Sequence, residues 1–152
     1  MSKLSSIKYD EKYFYSYLAG LIDGDGCFLL YRHVTKKRSK GYWWEANLTI
    51  AQSNKAFLEE LIDVIGHGRI GKKKNKVTYD TFGLIPYFLA LSPNPCRKVI
   101  PLIIPHLRRK KRQAELFSDA LDILGTKLRD KPDDWNERLE IIASELKKLK
   151  RM

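Results

Sequence analysis

Two carboxylates, Asp23 and Asp25, alternate with Gly24 and Gly26 directly after an apolar stretch with helical spacing. Carboxylate oxygens are the protein ligands that hard divalent cations such as Mg²⁺ prefer, and such a cation can activate water for phosphodiester hydrolysis. A core helix that ends in a glycine turn would explain the two glycines and would leave the two acids unexplained. The pattern therefore leaves two carboxylates that could serve as ligands of such a cation.

The overall charge indicates a polyanionic partner. Lys and Arg number 29 against 18 Asp and Glu, which gives a net charge of +11. A nucleic acid releases counterions on binding such a surface, and the run Arg108–Arg112 would suit its phosphates. Charge alone does not separate this class from ribosomal proteins, membrane-surface proteins or other basic domains, and the run itself also resembles a nuclear-import patch.

Cysteine and histidine usage points away from disulfides and zinc. Cys27 and Cys96 are too few for a disulfide framework, and His33, His67 and His106 lack zinc-site spacing. No stretch approaches the roughly 20 apolar residues that cross a bilayer, and the N-terminus has no secretory pattern. We therefore expect a soluble intracellular protein with no membrane partner.

Hydrophobic periodicity predicts an α+β protein, with helices covering one face of an antiparallel sheet. The predicted helices are about Asp10–Ile22, stopped by Gly24, and then Asn54–Ile65, Leu84–Leu91, Cys96–Ile104, Leu107–Leu124 and Asp134–Leu149. The predicted strands are Cys27–Val34, Tyr42–Ala51, Arg69–Gly71 and Lys76–Phe82. We expect one domain over residues 1–152, with a core at about 10–124 and a C-terminal helical extension at about 125–152.

The segment Tyr17–Gly26, YLAGLIDGDG, resembles the signature of the LAGLIDADG homing endonucleases. The similarity continues through the predicted hairpin, Gln52, the segment Ile65–Ile70 and the basic run, over about residues 13–124. It implies the αββαββα fold with a saddle-shaped sheet. It also implies a site-specific endonuclease of intron homing, which hydrolyses both strands of a long pseudo-palindromic DNA target and leaves short 3′ overhangs.

The resemblance assigns the catalytic residues. Asp25 falls at the family's catalytic acid and metal-ligand position, with the backbone carbonyl of Gly24 as a second oxygen ligand. Gln52 falls where the family orders water around the metal, and Lys110 where a cation stabilises the pentacoordinate phosphate. The implied cofactor is Mg²⁺, with Mn²⁺ able to substitute. An ordinary surface glutamine and a general phosphate patch are the alternatives for Gln52 and Lys110.

A single copy of the motif implies a two-fold symmetric homodimer, because one-chain relatives need a second copy and about twice the length. Ala19 and Gly20 have almost no side chain, so a partner helix could approach closely. We predict that the dimer seam contains Leu18, Ala19, Gly20 and Ile22.

The open sheet face would read double-stranded DNA of about 20 base pairs, since a strand rises ~3.3 Å per residue and a duplex ~3.4 Å per base pair. Polar and charged groups on this face could pair with base edges, and lysines in turns could hold phosphates. The predicted contacts are Leu29, Tyr31, His33, Trp43, Glu45, Asn47, Thr49, Arg69, Lys73, Lys76, Thr78 and Asp80. A solvated strand face is the alternative for each of them.

Other functions fit the same fold. An intron RNA maturase, which would take RNA as a partner, and a non-cutting DNA-binding regulator are the alternatives to a nuclease. A regulator has no need of Asp25, whereas an acid, a glutamine and a lysine all stand here where cleavage would need them. The resemblance places such proteins in an archaeal cytoplasm or an organelle and leaves the compartment open.

Overall fold

The computed structural model describes residues 11–37, 41–72 and 87–151, and within them the predicted α+β architecture is confirmed. The helices are α1 Glu11–Asp25, α2 Lys55–Ile65, α3 Pro93–Ile103, α4 Lys111–Gly125 and α5 Trp135–Lys150. The strands are β1 Gly26–Val34, β2 Tyr42–Gln52, β3 Arg69–Lys72 and β4 Tyr87–Leu91. Short 3₁₀ turns span Ile104–His106 and Leu128–Asp130.

The four described strands form one antiparallel sheet in the order β1, β2, β4, β3. Strand β2 pairs with β1 from Gly26 opposite Ile50 to Val34 opposite Tyr42. Its even-numbered apolar residues face the helices, and Leu48 and Ile50 are fully buried. The odd-numbered residues therefore lie on the opposite, open face, because neighbouring side chains on a strand point to opposite sides.

Strand β4 corrects the prediction of a helix at Leu84–Leu91. Residues 87–91 pair with β2 on one side and β3 on the other, with Leu89 opposite both Ile50 and Ile70. A short apolar run suits a buried helix or a buried strand equally, and pairing on both edges favours the strand. The predicted strand Lys76–Phe82 and residues 84–86 lie outside the described ranges.

Helix α1 continues three residues beyond the predicted end and includes Gly24 and Asp25. One glycine costs a helix only about 1 kcal/mol, so Gly24 does not stop it. The turn into β1 needs Gly26 instead, because a Cβ there would lie 2.7 Å from Ile22 Cγ2 and 2.8 Å from Ile22 Cα. Asp25 is consequently the last residue of the helix and directly precedes the first strand.

The last helix, α5, packs against α4 and β1 and buries Leu139, Ile142 and Leu146. Two polar contacts tie it to the first hairpin: an ion pair between Arg32 and Glu140, and a 2.8 Å hydrogen bond from Trp44 Nε1 to Asn136 Oδ1. In the described part of the chain, no helix has both the length and the apolar character needed to cross a membrane.

Candidate functional site

The end of α1 and the end of β2 meet at Asp25 and Gln52. Pairing of Gly26 with Ile50 brings the start of β1 beside the last residues of β2. Gln52 Nε2 then donates a hydrogen bond of 2.6 Å to Asp25 Oδ2. The amide therefore holds the orientation of the carboxylate that the sequence predicts to be catalytic.

Lys110 reaches the same place from the other half of the chain. It stands directly before α4, and its Nζ donates a hydrogen bond to the backbone carbonyl of Gly26. Within residues 108–112 it is the half-buried residue, and the others are exposed. Burial lowers the pKa of the Lys110 ammonium below that of an ordinary lysine, and the charge of Arg109 adds to this shift; the carboxylates of Asp23 and Asp25 oppose it without reversing it. The structure thus directs one cation of the basic run towards the end of α1.

Asp23 fixes the backbone of that basic run. Its Oδ2 accepts the N–H of Arg108 at 2.8 Å, and its Oδ1 accepts those of Arg109 at 3.2 Å and Lys110 at 3.0 Å. A carboxylate that accepts several backbone N–H groups is a strong anchor, because charge-assisted hydrogen bonds are stronger than neutral ones. Asp23 is therefore engaged in positioning Lys110, whereas Asp25 faces solvent.

A pocket of about 540 Å³ opens beside this junction. In its lining, four cationic side chains lie next to Gly24 and Gly26, the two neighbours of Asp25 in the chain. The lining residues are Gly24, Gly26, Cys27, Arg109, Lys110, Arg112, Gln113, Leu149 and Lys150. Such a lining suits a phosphate group. The sequence predicts that the run Arg108–Arg112 suits phosphates, and in the structure Arg109 and Arg112 of that run line this pocket together with Lys150 from the basic end of α5.

The donor set at the end of α1 fits a hard divalent cation. Asp25 offers an exposed carboxylate, and the carbonyl of Gly24 belongs to the last helical turn, where carbonyls lack a partner within the helix. Among the described residues, no group of three or more His, Cys, Asp or Glu could hold a metal ion unaided. The Asp25 carboxylate and the Gly24 carbonyl are the two oxygen donors that the end of α1 would offer to such a cation.

The structure corrects the predicted dimer seam. Leu18, Ala19 and Ile22 have 0% exposure and pack in the core of this chain, so they present no surface to a partner. Of the four predicted seam residues, Gly20 faces outward, and a Cβ there would meet nothing within 4 Å. The outward face of α1 consists of Tyr13, Ser16, Tyr17, Gly20 and Gly24. The helical spacing of three and four residues predicts this face from the sequence. Small side-chain size alone does not, because Ala19 is small and fully buried.

The first hairpin presents the predicted open face. Across the two strands, Tyr31 lies opposite Glu45 and His33 lies opposite Trp43. The His33 ring stacks on Trp43 with centroids 4.3 Å apart, and His33 Nε2 lies 2.7 Å from Glu45 Oε2. Burial raises the pKa of the Tyr31 phenol, and negative charge on Cys27 and Glu45 adds to the rise, so the hydroxyl stays a donor.

The remaining predicted contacts divide into three groups. Leu29, Asn47 and Thr49 are half-buried residues of the open face, with Leu29 opposite Asn47. Arg69 is exposed on β3, and its guanidinium lies over the Phe88 ring at 5.5 Å. Four predicted contacts, Lys73, Lys76, Thr78 and Asp80, lie outside the described residues.

Comparison with protein families and with curated proteins gives two matches. Residues 18–89 match the family model described as LAGLIDADG endonuclease. Over 134 residues the chain is 26% identical to DNA endonuclease I-CreI of Chlamydomonas reinhardtii, a match that covers 86% of this chain and 74% of that protein. The resemblance that the sequence carries is thereby confirmed.

Solved structures share the fold. An archaeal intron-encoded homing endonuclease complexed with DNA, I-Vdi141I, superposes with a TM-score of 0.75 at 24% identity, covering 92% of this chain and 86% of that one. The homing endonuclease I-CvuI in complex with its target superposes with a TM-score of 0.72 at 19% identity, covering 91% of this chain and 83% of that one. I-SmaMI bound to uncleaved DNA superposes with a TM-score of 0.72 at 20% identity. This match covers 93% of this chain but only 46% of I-SmaMI.

Proposed function

We propose that this chain, whose residues 18–89 match the LAGLIDADG endonuclease family model, is a site-specific homing endonuclease that cuts both strands of double-stranded DNA as a homodimer. The convergence of Asp25, Gln52 and Lys110 carries the proposal. Three elements that are distant in sequence bring an acid, an amide and a cation to the end of α1. The DNA complexes of I-Vdi141I and I-CvuI support DNA as the substrate class.

The proposed cofactor is Mg²⁺, held by the Asp25 carboxylate and the Gly24 carbonyl, with Mn²⁺ as a substitute. A bound divalent cation supplies an activated water and neutralises charge at the phosphate. Gln52 holds the Asp25 carboxylate in one orientation and orders water beside it. The Lys110 ammonium stabilises the negative charge that develops on the pentacoordinate phosphate, and the cationic pocket around it keeps the DNA backbone in place.

The proposed homodimer joins the outward faces of two α1 helices. Gly20 and Gly24 are four residues apart on this face, so two helix backbones can approach closely there. Exposed Tyr13 and Tyr17, at 72% and 56%, extend the same face with apolar surface. The seam would place Asp25 of both chains near the two-fold axis, where each chain cuts one strand. The doubled length of I-SmaMI supports a unit made of two such halves.

The DNA length follows from the hairpin. Strand β2 has 11 residues and spans roughly 36 Å, which corresponds to about ten base pairs of a duplex. Two symmetric hairpins therefore follow about 20 base pairs. We infer a pseudo-palindromic target cut with short 3′ overhangs, and an intracellular site of action.

A randomised duplex library tests the activity. The protein is incubated with the library in Mg²⁺, in Mn²⁺ or in EDTA, and the ends of the products are sequenced. We expect staggered cuts within one near-palindromic sequence in either cation and intact DNA in EDTA. Cutting that persists in EDTA, or that shows no preferred sequence, would overturn the proposal. Specific binding of one duplex sequence without any cutting would identify a non-cutting regulator. A preference for folded intron RNA over duplex DNA would identify a maturase.

Light scattering tests the assembly. We expect about 35 kDa, twice the 17.7 kDa of one chain. The substitution Gly20→Leu should shift the protein towards the monomer at low micromolar concentration, because its side chain projects into the seam. Gly20→Ala, which adds one methyl group to the same seam, should cause a smaller shift towards the monomer than Gly20→Leu. A wild-type monomer that still cuts both strands would refute the α1 seam.

A further inference from the structure

Both carboxylate oxygens of Glu45 are occupied within the chain. Oε2 lies 2.7 Å from His33 Nε2, and Oε1 accepts a 2.9 Å hydrogen bond from Asn47 Nδ2. Glu45 lies between these partners along the hairpin, since His33 stands opposite Trp43 and Asn47 opposite Leu29. An ionised carboxylate only accepts hydrogen bonds, so both partners must present a hydrogen to it.

This arrangement decides which atoms remain for a ligand. With its hydrogen on Nε2, a neutral His33 ring has an acceptor at Nδ1. The amide of Asn47 is oriented as well, because only Nδ2 can donate to Glu45; Oδ1 and the second N–H then form an acceptor and donor pair. The stack on Trp43 holds the plane of the His33 ring, at 19° to the indole.

We propose that Glu45 is a positioning residue for reading DNA, which orients His33 and Asn47 together and makes no base contact itself. The inference rests on the proposed function and revises the predicted direct contact between Glu45 and DNA. Oriented in this way, Asn47 matches the donor and acceptor edge of adenine in the major groove. The Nδ1 acceptor of His33 matches an exocyclic amine, which adenine and cytosine carry.

The geometry separates the two bases that Glu45 controls. His33 and Asn47 differ by four residues along the paired strands. At ~3.3 Å per residue this is about 13 Å, or roughly four base pairs. One residue without a base contact would therefore govern two separate positions in each half of the target, whereas a direct contact governs one.

Glu45→Gln tests the coupling, because it keeps the shape of the side chain and removes one acceptor oxygen. Cleavage rates are measured on the preferred target and on every single base-pair variant of it. We expect discrimination between base pairs to fall about tenfold at two target positions, the one read by His33 and the one read by Asn47. The variants His33→Ala and Asn47→Ala identify these two positions. The control Thr49→Ala, from the same face, should change one position at most. In a His33→Ala/Asn47→Ala background, Glu45→Gln should have no further effect.

Loss of discrimination at one position only would overturn the proposal in favour of a direct contact, and an equal loss on all targets would indicate a merely structural role. The His33 tautomer gives a readout without DNA. Long-range ¹H–¹⁵N spectra of the free protein should show the hydrogen on Nε2 in the wild type and a mixture of tautomers in Glu45→Gln. Unchanged spectra would refute the positioning role even if the protein cuts DNA. A protein that neither cuts nor prefers any sequence refutes the proposed function instead.

Discussion

The helix-end site, Asp25 with Gln52 and Lys110, and the hairpin face, residues 31, 33, 43, 45 and 47, are built in opposite ways. Three separate elements each contribute one residue to the helix-end site, and its members are up to 85 residues apart. Two adjacent strands contribute the whole hairpin face, through direct and diagonal neighbours. Each helix-end group has a distinct chemical role, so we expect the loss of one group to slow the cutting step itself. The hairpin face divides recognition among several contacts, so the loss of one should be tolerated.

The largest expected effect comes from Asp25→Asn. We expect cutting to fall by at least about 1000-fold, or ~4 kcal/mol, because the only exposed carboxylate at the end of α1 is neutralised. Specific DNA binding, measured by electrophoretic mobility shift in Ca²⁺, should change little. Asp23→Asn is the comparison variant, two residues away: it weakens the anchor of the basic run, should lower the free energy of unfolding by about 1 kcal/mol, and should reduce cutting far less than Asp25→Asn does. Comparable cutting by wild type and Asp25→Asn would remove Asp25 from the metal site.

A smaller loss, about 100-fold, is expected for Lys110→Met, which keeps the length of the side chain and removes the charge. The pH dependence sharpens this test. Raising the pH deprotonates a lysine and removes its charge. Because the pKa of Lys110 is lowered, Lys110 loses its charge at a lower pH than an ordinary lysine does. Wild-type cleavage rates should therefore decline on the alkaline side, whereas Lys110→Arg should keep its rate there. The same alkaline decline in both proteins would contradict a role for the Lys110 charge.

Gln52→Leu should reduce cutting by roughly tenfold, because it removes the hydrogen bond that orients Asp25 without adding a charge. Gln52→Glu should be worse, since a second carboxylate would then face Asp25 Oδ2. Titration of the cleavage rate with Mg²⁺ separates the two variants. If both variants kept the wild-type rate and the wild-type Mg²⁺ requirement, the glutamine would be an ordinary surface residue.

The smallest effect should come from the hairpin face. Trp43→Leu removes the stack beneath His33, which is worth about 0.5–1.5 kcal/mol. We expect KM for the preferred target to rise up to about tenfold with kcat nearly unchanged. Single-turnover and steady-state kinetics on the same duplex provide the measurement. A fall in kcat as large as that of Lys110→Met would break the contrast between the two regions.

Strand alternation explains why the hairpin face could be predicted from sequence. A residue's side follows from its parity alone, and Trp44, Ala46, Leu48 and Ile50 mark the covered side. The structure places Tyr31, His33 and Glu45 on the open side accordingly. Whether each of them touches DNA stays a prediction, and the link through Glu45 requires side-chain positions that no periodicity contains.

Non-local contacts explain most of the errors. The run Tyr87–Leu91 becomes a strand because β2 and β3 offer it hydrogen bonds on both edges, and neither partner is visible in the local sequence. The predicted end of α1 at Ile22 is wrong for a local reason: the close contact with Ile22 requires glycine at position 26, and Gly24 does not stop the helix. The contacts of Asp23 with residues 108–110 were beyond local patterns, since more than 80 residues separate them.

The two polar ties of the last helix have a practical consequence for changing the target. Arg32 and Trp44 hold α5 from even positions of the hairpin, whereas the residues that would face a duplex occupy odd ones. Codon randomisation at positions 29, 31 and 49 would therefore leave the attachment of that helix untouched. A reprogrammed variant should melt at nearly the temperature of its parent, so failures in such a selection would report on recognition and not on misfolding.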